Sequence, residues 1–170
     1  MAGIVHYIAF IVFPVGMAFG AASDLLTMTI PNRLTLALAA AFLALAPFTG
    51  MDLATFGYHL AAAALVLAVA FTCFAFGWIG GGDAKLAAVI ALWIGWSNAL
   101  DFMLLASLLG GGLTLLVLSY RSAVLPAFIV RQPWLARLHD RRVGVPYGIA
   151  LAAAALAVYP NTIWMTVAVG

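Results

Sequence analysis

The sequence predicts an all-α fold, a polytopic membrane helical bundle. Of the 170 residues, 67% are hydrophobic and only 7% are charged, and the mean hydropathy is +1.20. A soluble domain of this size cannot bury so much apolar surface, because roughly half of its residues are normally polar or charged. In addition, apolar segments of membrane-spanning length recur along the chain. We therefore expect a single integral membrane domain over residues 1–170.

The apolar segments predict about six transmembrane helices, since a crossing needs about 20 mostly apolar residues. They cover residues 4–22, 34–48, 53–78, 84–96, 99–119 and 147–169. The second and fourth are short and would tilt or borrow flanking residues, so five or seven crossings remain alternatives. No Lys or Arg precedes the first segment. We therefore expect a retained membrane helix there, because a secretory signal has a basic start.

The distribution of positive charge predicts the orientation of the bundle. With six crossings, all seven Lys and Arg residues fall in the loops 23–33, 79–85 and 120–146, which share one side. Cytoplasmic loops carry an excess of Lys and Arg, so both termini are predicted to be non-cytoplasmic. The long basic loop 120–146 also holds aromatic and aliphatic residues. It is expected to lie on an anionic leaflet, with a purely topological role or a contact with substrate as alternatives.

Composition also limits the partners and cofactors. A net charge of +2 is too small to indicate nucleic-acid binding, and the apolar composition makes membrane lipid the expected surroundings. Cys73 is the only cysteine, which excludes an intrachain disulfide and a cysteine metal cluster. The histidines are widely spaced, and neither an HExxH nor a GxSxG pattern occurs. We therefore predict no metal and no cofactor, and we leave the oligomeric state open.

The five acidic residues are all aspartates, and three of them have structural explanations. Asp52 precedes the third span, where a carboxylate suits a helix N-terminus. Asp101 follows Asn98 by three positions at the start of the fifth span, in a pattern close to a capping box. Asp140 lies among arginines with which it can pair. These three aspartates are expected to stabilise the structure.

Asp24 is placed less favourably. It ends the first helix, where the helix dipole disfavours a carboxylate, and an ionisable side chain near the membrane boundary is costly unless a partner or a function retains it. Pro31 then prevents the first helix from continuing. An ordinary loop aspartate near Arg33 is the alternative, but the placement favours a functional residue.

Asp83 directly follows the glycines Gly80, Gly81 and Gly82. Each glycine lowers helix stability by about 1 kcal/mol, and together they predict an unwound segment that another chain can approach closely. A simple helix cap is the alternative for Asp83. A second triplet, residues 110–112, lies within the fifth span without a carboxylate and indicates close helix packing. The combination of triplet and aspartate is therefore the informative signal.

Asp24 and Asp83 are predicted to lie at the same end of the bundle, because each borders a loop on the predicted cytoplasmic side. Two carboxyl groups in one solvent-accessible site hold different protonation states, since neighbouring like charges are unfavourable. One can then act as a base toward water while the other acts as an acid toward a carbonyl oxygen. This is the chemistry of aspartyl peptide hydrolysis without a covalent intermediate.

Three motifs resemble those of the type IV prepilin peptidases, which belong to the GxGD intramembrane aspartyl proteases. Residues 80–85, GGGDAK, resemble the GxGDxK signature. Asp24 followed by Ile30, Pro31 and Asn32 resembles the first aspartate region, and residues 145–150, VPYGIA, resemble the P-[YF]-G element that opens the last helix. The motifs occur in the family's order.

The resemblance implies that Asp24 and Asp83 are the catalytic pair. It also implies that the active-site loop or substrate-binding region contains the following residues: Gly80, Gly81, Gly82, Lys85, Pro31 and Asn32. The implied reaction is cleavage of the leader peptide of type IV pilin-like precursors, generally after a glycine, at the cytoplasmic face of the inner membrane. No cofactor is implied.

The chain differs from the long members of that family, which carry paired CxxC motifs that one cysteine cannot reproduce. We therefore expect peptidase activity alone, without N-methyltransferase activity. The short form resembles the peptidases of the Tad/Flp and archaeal-flagellin-like branches, and its length and Ala-rich sequence favour the Tad/Flp type. Two other function classes remain as alternatives. One is a small proton- or cation-coupled transporter that uses the two membrane carboxylates, and the other is a catalytically silent assembly scaffold.

Overall fold

The computed structural model describes residues 2–123 and 131–166, and every regular element within these ranges is helical. The helices are α1 (Ala2–Thr27), α2 (Asn32–Leu45), α3 (Leu53–Ala75), α4 (Gly81–Ile94), α5 (Trp96–Ser122), α6 (Pro133–His139), α7 (Tyr147–Val158) and α8 (Ile163–Thr166). Short 3₁₀ turns cover Ala46–Phe48 and Tyr159–Asn161. The centre of the predicted basic loop, residues 124–130, and the end of the last predicted span, residues 167–169, lie outside the described residues.

The all-α prediction is confirmed for the described residues. Within residues 2–123 and 131–166, three helices are long and apolar enough to cross a membrane: Gly3–Thr27, Leu53–Ala75 and Trp96–Ser122. Asn32–Phe48 and Tyr147–Asn161 are shorter apolar segments. The last predicted span is not one continuous helix, because α7 ends at Val158 and a 3₁₀ turn containing Pro160 follows. Proline lacks the amide that a continuing helix needs.

Helix α4 forms the centre of the bundle. It is only 14 residues long, and it packs against α2, α3, α5 and α7. From Leu86 to Ile94 its side chains are almost all buried, on every face of the helix. A helix that is apolar all round belongs in an interior. The structure thus surrounds this short segment with protein, whereas α3 and α5 expose many large apolar side chains.

An aromatic cluster anchors the C-terminal end of α4. It consists of Phe13, Phe42, Trp93, Tyr159 and Trp164, whose rings are in contact. The indole nitrogen of Trp93 donates to the carbonyl of Leu38 at 3.0 Å, and that of Trp164 donates to the carbonyl of Trp93 at 2.7 Å. Buried indole groups need such partners. Asp83 precedes Trp93 by ten residues, or about 15 Å along the helix, so the cluster fixes α4 far from its first turn.

The three aspartates with structural explanations have different outcomes. Asp52 is the N-cap of α3 and accepts the amide of Thr55 at 2.9 Å, as expected. The expected cap at Asp101 is wrong, because α5 already begins at Trp96. Asp140 accepts the main-chain amide of Arg142 at 2.9 Å, so the partner is a backbone group and not a guanidinium.

Candidate active site

Asp24 lies in the last turn of α1 and is only 6% exposed. Its main-chain carbonyl accepts the amide of Met28 at 2.8 Å. Its side-chain Oδ2 accepts a 2.7 Å hydrogen bond from the amide of Gly148, near the start of α7. This approach requires glycine, because a Cβ at position 148 would lie 2.8 Å from Oδ2. Elements from the two ends of the chain therefore meet at this carboxyl group.

The turn between α1 and α2 connects Asp24 to the glycines at the start of α4. Ser23 Oγ donates to the carbonyl of Thr29 at 2.8 Å across this turn. Met28 has φ 56°, a left-handed conformation that non-glycine residues seldom adopt. The turn places Ile30 against Gly82, where a Cβ would lie 3.2 Å from the Cβ of Ile30.

Asp83 lies in the first turn of α4, which begins at Gly81 with Gly80 as its N-cap (φ −73°, ψ 147°). The expectation of an unwound segment through the whole triplet is therefore wrong for Gly81 and Gly82. The first amides of a helix need no carbonyl from a preceding turn, so the helix can start within the triplet. The triplet still permits close packing, because its glycines have no side chains. The ring of Phe74, for example, lies so close to Gly81 that a Cβ there would be only 3.2 Å from it.

Asp83 is half-buried, and one side of its carboxyl group is covered by protein. A Cβ on Gly80 would lie 2.9 Å from Oδ2, and Oδ1 is buried without a hydrogen-bond partner among the described residues. Burial, together with the negative charge of Asp24, raises the pKa of Asp83 to about 7, although the Gly80 amide acts in the opposite direction. Because this pKa is close to 7, the Asp83 side chain is present near neutral pH partly as the acid and partly as the carboxylate. Asp83 precedes the apolar part of α4.

Asp24 and Asp83 together line two neighbouring cavities. One has a volume of about 250 Å³ and is completed by the α1–α2 turn and the start of α4. The other has a volume of about 350 Å³ and is completed by the turns that precede α4 and α7. Met28 and Gly80 also line both cavities. The structure thus brings the two sequence-predicted aspartates to one site, with open space on both sides of them.

Two arginines of the predicted basic loop bind main-chain carbonyls near the acid pair. Arg121, at the end of α5, donates to the carbonyls of Val143 and Gly144, each at 2.9 Å. Arg137, on α6, donates to the carbonyl of Leu26 at 2.7 Å. Leu26 follows Asp24 by two residues, so α6 is tied directly to the end of α1. These two guanidinium groups bind main-chain oxygens of the protein itself.

The remaining sequence-predicted residues lie beside the pair. Lys85 Nζ donates to Oδ1 of Asn32 at 2.9 Å and so connects α4 to α2. Asn32 lines the smaller cavity. Pro31 is the N-cap of α2, with φ −64° and ψ 133°. These residues therefore border the site from the side of the α1–α2 turn.

Sequence reasoning overlooked two residues of the site. Gly148 was noted only as part of a motif that opens the last helix, although its amide contacts Asp24. Arg121 was noted only as one of several loop cations. The P-[YF]-G motif was a usable signal for Gly148, since glycine near a helix start indicates that another group approaches the backbone closely. No comparable signal distinguishes Arg121.

The chemistry available at this site is that of two carboxyl groups. Within residues 2–123 and 131–166, no group of three or more His, Cys, Asp or Glu side chains could hold a metal ion. Two neighbouring carboxyl groups that share a proton form an acid–base couple, in which one member accepts a proton and the other donates one.

Fold and site together define a helical protein with membrane-length helices and two aspartates, one buried and one half-buried, in a glycine-lined cleft. Residues 11–115 match the type IV leader peptidase family, and the chain belongs to this family. The family resemblance is thereby confirmed, and the protein is a peptidase. The matched region contains both aspartates and ends before Gly148. No curated protein and no solved structure matches the chain, and the transporter alternative receives no support.

Proposed function

We propose that the protein is a membrane-embedded aspartyl endopeptidase that removes the leader peptide of type IV pilin-like precursors. The observation that carries this proposal is that Asp24 on α1 and Asp83 on α4 line the same two cavities. Family membership supplies the substrate class, since it implies pilin precursors. The acid pair supplies a hydrolytic mechanism that needs no cofactor.

In the proposed reaction, one carboxylate takes a proton from water as the water oxygen bonds to the scissile carbonyl carbon. The other carboxyl group gives its proton to the carbonyl oxygen, which forms a neutral tetrahedral diol. The first carboxyl group then protonates the leaving nitrogen as the C–N bond breaks, and a diol hydroxyl returns a proton to the second carboxylate. Water and one peptide bond thus become a carboxylic acid and an amine, and the pair regains its starting state.

The two cavities suggest how the substrate lies. An extended chain can cross the acid pair with one part in each cavity, beside the glycines that precede Asp83. The resemblance implies cleavage after a glycine, which fits a narrow passage between the two acids. The apolar segment of the pilin would remain in the bilayer beside the bundle.

The proposed arrangement in the membrane has six crossings with both termini non-cytoplasmic. The three long helices cross directly, while the two shorter apolar segments and the apolar part of α4 after Asp83 complete the set as shorter crossings supported by their neighbours. The acid pair then faces the cytoplasm, on the side that carries all seven Lys and Arg residues. The location is the inner membrane.

The central experiment replaces each acid separately. Purified full-length Asp24→Asn and Asp83→Asn should each lose cleavage of a type IV pilin precursor by at least about 1,000-fold, because the acid–base couple needs both members. Asp52→Asn and Asp101→Asn are matched controls that should retain activity. Mass measurement of the released leader identifies the cleaved bond. Normal processing by both active-site variants would refute the proposal.

Substrate branch and orientation need separate measurements. A panel of precursors that includes a Tad/Flp-type pilin should show the fastest cleavage for that member, and equal or slower cleavage would remove the assignment to this branch. The orientation of the bundle in the membrane is tested separately by cysteine labelling. Single cysteines are introduced by Gly50→Cys and Arg131→Cys in a Cys73→Ser background. An impermeant maleimide should label the first in intact cells and the second only after permeabilisation. The opposite pattern would reverse the topology.

A further inference from the structure

The two acids of the site are held differently. Oδ2 of Asp24 receives the Gly148 amide at 2.7 Å. An amide N–H can only donate, so this oxygen must be an acceptor, as a carboxylate oxygen is. Oδ1 of Asp83 is buried with no partner among the described residues. An unpaired buried oxygen is much less unfavourable on a neutral acid than on an anion.

We propose that the Gly148 amide assigns the roles within the pair: Asp24 is the carboxylate that takes the proton from water, and Asp83 is the acid whose proton is given to the scissile carbonyl. This inference rests on the proposed peptidase function and adds the direction of proton movement to it. Hydrogen bonds to an ionised acceptor are stronger than neutral ones, so the donor favours charge on Asp24. Once Asp24 is charged, a second charge on Asp83 is disfavoured.

The position of this amide is well determined by its neighbours. The ring of Tyr147 packs against Gly110 of α5, where a Cβ would lie 3.0 Å from a ring carbon. The Tyr147 hydroxyl is 2.9 Å from Oγ1 of Thr114 on the same helix. The start of α7 is therefore fixed to α5 immediately before Gly148. This makes Gly148 a positioning residue, which acts through Asp24 and does not react.

Three of the charged or titratable side chains on the surrounding elements have partners of their own, whereas Nδ1 of His139 on α6 is buried without a hydrogen-bond partner among the described residues. Lys85 on α4 donates to Asn32, and Arg137 on α6 donates to the carbonyl of Leu26. The hydroxyl of Tyr147 meets a hydroxyl group of α5. The main determinants of the protonation order are therefore the Gly148 amide, the burial of each acid and the repulsion between the two acids.

The first test measures the protonation order directly and does not depend on activity. The chain has five aspartates and no glutamate, so labelling the aspartate carboxyl carbons with ¹³C gives few NMR signals. Single Asp→Asn variants of the purified full-length protein assign them. We expect the Asp24 signal to titrate at least about one pH unit below that of Asp83. The reverse order, or a common titration, would overturn the inference.

The second test moves the donor. Gly148→Ala introduces a Cβ that would lie 2.8 Å from Oδ2 of Asp24, so the hydrogen bond should lengthen. The Asp24 signal should then titrate closer to that of Asp83, and the acidic limb of kcat/KM should move to higher pH by about the same amount. Gly111→Ala is the matched control, because a Cβ there has nothing within 4 Å.

The outcomes separate this inference from the proposed function. If the wild type cleaves no pilin precursor, the proposed function fails, and the ¹³C titration shows whether the asymmetry of the pair exists independently. If a folded Gly148→Ala variant shows unchanged Asp24 titration, the role of the amide is wrong even when cleavage continues. If Gly148→Ala does not fold, the titration order in the wild type decides.

Discussion

The chain contains two glycine triplets whose surroundings differ. Residues 80–82 each have a different neighbour: the carboxyl group of Asp83, the ring of Phe74 and the side chain of Ile30. Of residues 110–112, only the first has neighbours within 4 Å among the described residues, and both of these, the ring of Tyr147 and the Cβ of Ala150, belong to α7. The first triplet brings three groups together, whereas the second makes a single packing contact.

The difference follows from position in the helix. Successive residues of a helix point about 100° apart, so three consecutive glycines in the middle of α5 cannot all face the bundle. At the beginning of α4, neighbours can approach from the side and from the end, because no preceding turn blocks them. A glycine triplet therefore organises a site when it starts a helix beside converging elements. Within a helix, such a triplet provides one close packing contact, as Gly110 does here.

Asp83 follows the first triplet, and no acid follows the second. Of the predictions that compare the two triplets, the pH dependence of kcat/KM caused by Asp83 should be the largest effect. Asp83 must be protonated to donate, and its pKa is about 7. Its acid form therefore predominates below that pH and is lost above it. We expect kcat/KM to fall about 50-fold between pH 7 and pH 9. A pH–rate profile checks this, with Asp52→Asn as the control that leaves the alkaline limb unchanged.

The same titration should affect stability. A buried acid with a raised pKa favours the folded state in its protonated form, so the wild type should lose stability as the pH rises from about 4 through about 7. Asp83→Asn removes this loss and should raise the melting midpoint by roughly 4–8 °C at pH 8, a gain of about 2 kcal/mol. An equal gain at pH 4 would contradict the assignment to Asp83.

A methyl group added to each triplet tests the contrast directly. Gly82→Ala places a Cβ 3.2 Å from that of Ile30, so the α1–α2 turn must move. We expect a decrease of about tenfold in kcat/KM, since small displacements at a catalytic site are costly. Gly112→Ala has nothing within 4 Å and should stay within about twofold. Equal effects of the two variants would remove the distinction between the triplets.

Much of this architecture could be predicted from the sequence, for identifiable reasons. Apolar segments predicted the helices, because lipid requires long runs without charge. Asp24 and Asp83 were found because a carboxylate is costly near a membrane and five acids are few enough to consider singly. Whether the two aspartates are catalytic, and whether the membrane is crossed six times, remain predictions.

The rest depended on main-chain groups, which leave little trace in a sequence. The amide that meets Asp24 belongs to Gly148, and the carbonyls bound by Arg121 belong to ordinary turn residues. Every residue except proline carries such a donor and every residue such an acceptor. The helical start within residues 80–82 was missed for a related reason. Propensity scales describe helix interiors, whereas a first turn needs no partner from a preceding turn.

The second triplet should show a smaller, indirect effect on catalysis. In Gly110→Ala, a Cβ would lie 3.0 Å from the ring of Tyr147, so the start of α7 and the Gly148 amide should shift together. We expect a threefold to fivefold loss of kcat and a loss of about 1–2 kcal/mol in stability. Gly111→Ala should instead gain about 0.5–1 kcal/mol, because alanine favours the helix and meets nothing. Equal stability of these two variants would show that the close contact between Gly110 and Tyr147 is unimportant.

The smallest effect concerns the residue three positions beyond each triplet. Lys85 holds Asn32 through an exposed hydrogen bond, whereas Leu115, the corresponding residue of α5, is 68% exposed among apolar neighbours of the same helix. Exposed polar contacts contribute about 0.5–1 kcal/mol, so Lys85→Met should raise KM about twofold to threefold and leave kcat nearly unchanged. Leu115→Met should change neither constant. A large decrease in kcat for Lys85→Met would instead indicate that the ammonium group takes part in the chemical step. Lys85 would then belong to the reacting centre and would not merely hold Asn32 in place.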